Sequence, residues 1–128
     1  MLPLRVRRFL ERRVDNLEQL EILLLLHHRQ HRSWTASDVA DTLQLSKSSA
    51  AEFLEILCQR ALLDVRVDED VRYKYCPATP ELAADAKLVT DAYRGSRREV
   101  TAFVLSLGRR SLRDFADSFK LTKDDDRG

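Results

Sequence analysis

Glycine and proline are scarce in this chain, three of each in 128 residues. A sandwich or a disordered chain needs more of both, so both are excluded and the balance favours helix. Cysteine is as thin. Cys58 and Cys76 stand in no CxxC spacing, and they read as reduced thiols in or near a core. Long hydrophobic runs are missing too. Ile22 to Leu26 is far shorter than the ~20 residues of a membrane span. At the N-terminus, MLPLRVRRFLERR has arginines threaded through its apolar residues, so no signal-peptide apolar region forms. The expected compartment is the cytoplasm. Charge of one sign is absent as well: 22 Lys and Arg face 21 Asp and Glu, a net charge of +1. The molecule is no polycation, and any affinity for nucleic acid must come from local patches. There is no nucleophile–base pair and no glycine-rich phosphate loop, so neither catalysis nor a cofactor is expected. His27 and His31 sit one helical turn apart, but no nearby Cys, Asp or Glu completes a metal site.

What is present is mostly helical pattern. Val6, Phe9, Leu10 and Val14 recur at helical spacing beside a basic polar side. Asn16 and Gln19 make a capping-box pattern for a helix over about 17–32, apolar nearly all round and therefore central. Thr35 with Asp38 opens a short helix to about Leu43, carrying Val39 and Ala40. Gln44-Leu45 then turns the chain, and Ser46 caps a third helix to about Ala61. Ala50, Phe53, Leu54, Leu57 and Cys58 mark the buried face of that helix. Leu63, Val65 and Val67, then Val71, Tyr73 and Tyr75, alternate with polar residues around Asp68-Glu69-Asp70, as in a half-buried β-hairpin. Pro77 ends it. Thr79-Pro80 starts a long helix that runs to about Leu107, with Gly108 as its cap. Ser111 and Asp114 begin a last short helix with Leu112, Phe115 and Phe119.

Helix, short helix, tight turn, helix and hairpin is the order of a winged helix-turn-helix. The residues Ala36-Ser37-Asp38-Val39-Ala40, Leu45-Ser46, Leu54, Leu57 and Ala61-Leu62-Leu63 resemble bacterial regulators of the MarR and ArsR type. Ala40 takes the small position of the second helix, and Ala61 stands where a glycine is usual. The chain is also similar throughout to a small subgroup of bacterial winged-helix proteins that share LEQLEILLLL, Trp-Thr-Ala, Arg-Arg-Glu-Val and SLRDFADSFKL. The resemblance implies a mainly α fold with a small β-hairpin wing. It places the winged helix-turn-helix with its N-terminal helix in residues 1–78, and a dimerising long helix with the terminal helix in 79–128. It also implies double-stranded DNA as partner.

Candidate DNA contacts are Ser46, Lys47, Ser48 and Ser49 at the start of the third helix, with Arg66, Arg72 and Lys74 on the hairpin. Against them stand Glu52, Glu55 and the acidic hairpin tip. A winged helix that binds a regulatory protein instead of DNA is therefore the alternative. Further arginines, Arg5, Arg7, Arg8, Arg12 and Arg13 with only Glu11 among them, crowd the N-terminal helix. Leu82, Ala86, Val89, Tyr93, Ser96, Val100, Phe103 and Leu107 follow a heptad. Leu82, Val89, Tyr93, Val100, Phe103 and Leu107 are thus the expected seam of a homodimer, with a bend or break open at Gly95-Ser96.

Overall fold

The computed structural model describes residues 1–110. The terminal helix expected from Ser111 onward, with Leu112, Phe115 and Phe119, lies outside the described residues. The elements are α1 (Leu4–Arg13), α2 (Leu17–His28), α3 (Ala36–Leu43), α4 (Lys47–Gln59), β1 (Leu63–Val67), β2 (Val71–Tyr75) and α5 (Pro80–Gly95). A further helix, α6, covers 97–110.

Local chemistry sets most helix starts. Thr35 and Asp38 exchange both capping-box bonds, each 3.1 Å long. Thr79 Oγ1 accepts from the Leu82 N–H at 3.0 Å, with Pro80 in the first helical turn. Asn16 accepts from the Gln19 N–H, but the Gln19 side chain accepts from Asp15 rather than from Asn16, so this box closes one residue early. Among the described residues, two that are not glycine carry positive φ. Gln44, at 58°, ends α3 in the turn, and Ala61, at 66°, follows α4. Ala61 adopts the left-handed conformation that a glycine would hold without Cβ strain.

Two boundaries differ from expectation, and the break left open at Gly95-Ser96 occurs. α2 stops at His28, and residues 29–32 form a turn that leads Trp34 into the sheet. The long C-terminal helix is interrupted at Ser96, whose N–H bonds to Ala92 while its carbonyl starts α6 through the Val100 N–H. Gly108 does not cap it, because helix continues through 110.

β1 and β2 pair antiparallel from Leu63 opposite Tyr75 to Val67 opposite Val71. Trp34 adds a short third rung, exchanging two 2.7 Å hydrogen bonds with Tyr73. The wing is not half-buried along its length. Leu63 and Tyr73 are covered, whereas Val65, Val67 and Val71 are 42%, 73% and 43% exposed. The cause is reach: helices pack against the hairpin base, and the distal half projects past them.

The core joins α2, α3, α4 and the hairpin base through Leu20, Ile22, Leu23, Leu26, Trp34, Val39, Leu54, Leu57 and Leu62. Burial of each such side chain stabilises by roughly 1.5–3 kcal/mol. Phe53 is half-buried at the rim rather than in the centre. α1 packs along α5, so the N-terminal helix sits with the C-terminal ones. Leu82, Val89 and Val100 of the heptad lie inside this chain's own core. Tyr93, Phe103 and Leu107 remain partly accessible.

Candidate nucleic-acid interface

The start of α4, Ser46 to Ser48, is exposed. Ser46 is the N-cap, and its Oγ accepts from the Ser49 N–H at 3.1 Å. That bond commits Ser46 to the helix and leaves Ser49 half-buried. Lys47 and Ser48 point to solvent. The first N–H groups of any helix lack intrahelical acceptors, and the helix dipole adds partial positive charge there. Lys47 and Ser48 therefore offer a cation, a hydroxyl and unpaired amides over one turn.

Across from them stands the wing. Lys47, Ala51, Thr35, Ser37, Asp38, Asp70 and Arg72 line an open cleft of about 580 Å³ between α3, α4 and β2. Arg66 and Lys74 are elsewhere. They border a separate groove of about 250 Å³ with Ser33, Asp64, Tyr75 and Cys76, and Arg72 reaches both. The seven expected contacts thus fall into two sets. Lys47 shares the first cleft with Arg72, while Arg66 and Lys74, on the same hairpin face as Arg72 by strand alternation, border only the second.

Acids temper this surface. Asp70 pairs with Arg72 at 3.4 Å, and Asp38 lies 3.8 Å from Arg32. The backbone N–H of Thr35, then its hydroxyl and the nearby Arg32 and Arg72, hold the Asp38 carboxyl below its ordinary range despite some burial. Asp38 therefore stays ionised at neutral pH. Glu52 and Glu55 on α4 are exposed.

Several cations are occupied by structure. Arg60 donates to both oxygens of Asp15 at 2.9 Å, and Arg13 donates to the Arg60 carbonyl at 2.9 Å, closing the end of α4. Arg5 donates to Asp85 at 3.0 Å. Sequence spacing carried no signal of these pairs, whose members are 45 to 80 residues apart. Arg32 stacks 3.9 Å over the Trp34 ring, a contact between near neighbours that their proximity at a helix end does allow.

Two other titratable groups belong to the interior. Burial pushes the Cys58 thiol up to about 11, aided by Asp64 and Glu55, so it is inert at neutral pH. Burial lowers His27, which sits edge-on to Tyr75 at 4.9 Å between ring centroids. No group of three or more His, Cys, Asp or Glu that would hold a metal occurs among the described residues. No helix among them is long and apolar enough to cross a membrane.

No protein-family model matches the chain, and no curated protein matches it in sequence. Solved structures do match it in shape. A mutant of MepR from S. aureus, bound to an oligodeoxyribonucleotide, superposes with a TM-score of 0.56 at 18% identity, over 93% of this chain and 86% of that one. A mutant of MarR from E. coli gives 0.53 at 12% identity, over 96% and 85%. The adhesin competence repressor AdcR from Streptococcus pyogenes gives 0.53 at 15% identity, over 91% and 83%. Likeness over this much of each chain, with the element order, turn and wing described above, identifies the fold as a MarR-like winged helix-turn-helix.

Proposed function

We propose that the chain is a DNA-binding transcriptional regulator, acting as a cytoplasmic homodimer without catalysis or cofactor. One observation carries the reading: Lys47 at the open start of α4, with Ser48 exposed beside it, and Arg72 on the wing line the same cleft. A duplex backbone entering there meets helix amides, the Lys47 ammonium and the Arg72 guanidinium together. The fold's likeness to a MepR mutant solved with an oligodeoxyribonucleotide supports the same partner.

In this reading residues 1–78 read DNA and residues 79–128 hold two subunits together. Tyr93, Phe103 and Leu107, still partly accessible in the protomer, are the dimer contacts. Arg66 and Lys74 meet phosphates farther along the duplex. Serines lack the bidentate base discrimination of arginine or asparagine. The chain therefore owes little of its sequence choice to direct contacts at Ser48.

A regulatory protein in place of DNA is the second reading. The exposed Glu52 and Glu55 and the acidic tip Asp68-Glu69-Asp70 favour it. Titrating a labelled random duplex with wild type and with Glu52→Lys separates the two. The DNA reading expects Glu52→Lys to bind several-fold tighter at low salt, because a repelling carboxylate becomes a phosphate contact. Equal affinity for both proteins means α4 does not face the duplex.

A further inference from the structure

Trp34 and β1 flank β2 on opposite sides, so among the described residues β1 is the outer edge of the wing. Asp64 to Val67 are exposed along the whole of that edge. Backbone directions follow from the hydrogen bonds. The N–H and C=O of Tyr73 both go to Trp34, so Tyr73 cannot bond its opposite residue, Val65. The Leu62 carbonyl bonds inward to the Cys76 N–H. By strand alternation, Asp64 and Arg66 bond inward to β2, while Leu63, Val65 and Val67 turn their backbone groups outward. An exposed edge of this kind is a template for another strand.

We infer that β1 is a self-pairing edge, at which two copies of this chain join antiparallel with Val65 opposite the partner's Val65. The strand LDVRV is self-complementary in that register. Asp64 falls opposite Arg66 of the partner subunit, twice, and Leu63 opposite Val67. The outward groups then form about six backbone hydrogen bonds. The charge match also relieves an internal conflict. Arg66 and Arg72 stand directly opposite each other in the hairpin, a like-charge pair that costs stability. Asp64 of the partner subunit comes in beside Arg66 from the open side. Val65 and Val67 gain apolar neighbours on the other face. Lone charges on an edge strand normally prevent pairing, but here each charge meets its opposite.

Oxidative cross-linking of the full chain tests the register, without DNA and so independently of the function proposed above. In a Cys76→Ser background, Val65→Cys and Val67→Cys proteins are compared under one mild oxidant. The two-fold register sets the position-65 thiols face to face and places the position-67 thiols opposite Leu63. The Val65→Cys protein should therefore give the more covalent dimer, although Val67 is the more exposed position at 73% against 42%. Equal or greater dimer from Val67→Cys, or none from either, overturns the proposal. Adding Asp64→Arg should abolish the Val65→Cys dimer, and adding Arg66→Asp as well should restore it. Arg66→Asp alone should also abolish the Val65→Cys dimer, although within one hairpin it replaces the like-charge pair with Arg72 by an opposite-charge one, so a purely internal effect predicts no loss; a dimer retained with Arg66→Asp alone, or not restored by the double exchange, overturns the proposal.

Discussion

Two basic regions of this molecule look alike in composition and differ in what their charges do. α1 holds five of the arginines and only Glu11 against them. The α3–α4–wing cleft holds Lys47 and Arg72 among Asp38 and Asp70. By count, α1 is the stronger electrostatic surface. By geometry it is partly committed: Arg5 is bonded to Asp85, and Arg13 to the carbonyl that ends α4. Lys47 has fewer neighbours of its own sign but stands at a helix N-terminus, where phosphate also meets amides. Free charge beside convergent donors matters more to anion binding than total charge.

Charge reversal on each side separates the two regions. Lys47→Glu with Arg72→Glu should cost about tenfold or more in duplex affinity at low salt, read by fluorescence anisotropy. Arg8→Glu with Arg12→Glu on the exposed face of α1 should cost clearly less. The reverse order would move the DNA surface to α1. Next comes Arg60→Ala, which removes the Asp15 pair between the α1–α2 junction and the end of α4. Asp15 is half exposed, so screening limits the loss to about 1 kcal/mol in urea unfolding. Unchanged stability would free Arg60 to be counted as a DNA cation. Ala61→Gly relieves a left-handed residue beside that pair, offset by added freedom in the unfolded chain, and should gain about 0.5 kcal/mol. A loss of stability there would mean that the alanine is held without strain.

The smallest effect is with pH. Asp38 has its folded pKa below its ordinary value of 3.8. The unfolded chain thus takes up the proton first, and the stability from this carboxylate is complete well above pH 3.8 and lost as pH falls through the folded value. Asp38→Asn should flatten the acid limb of the unfolding midpoint and leave the neutral region parallel to wild type. An unaltered acid limb would remove Asp38 from the account of the α3 cap.

How far the sequence could be read depends on range. Thr35 with Asp38 and Thr79 with Pro80 announce helix starts because capping involves residues three apart or fewer. The heptad from Leu82 to Leu107 records which side of a helix is apolar, not which surface covers it. Leu82, Val89 and Val100 face the chain's own core. Alternation in the wing has the same limit. It placed Val65, Val67 and Val71 on one face, but coverage depends on how far the helices reach. That Lys47 meets Arg72 in one cleft while Arg66 and Lys74 border another depends on where α4 meets β2 in space. No linear spacing encodes it.

If Lys47 contacts phosphate, the salt dependence of duplex binding must show it. Log affinity should fall linearly with log salt concentration in wild type, and Lys47→Gln should reduce the slope by about one, the release of one counterion. A wild-type affinity that ignores salt, or a Lys47→Gln slope equal to that of wild type, would contradict the assignment of this cleft to DNA.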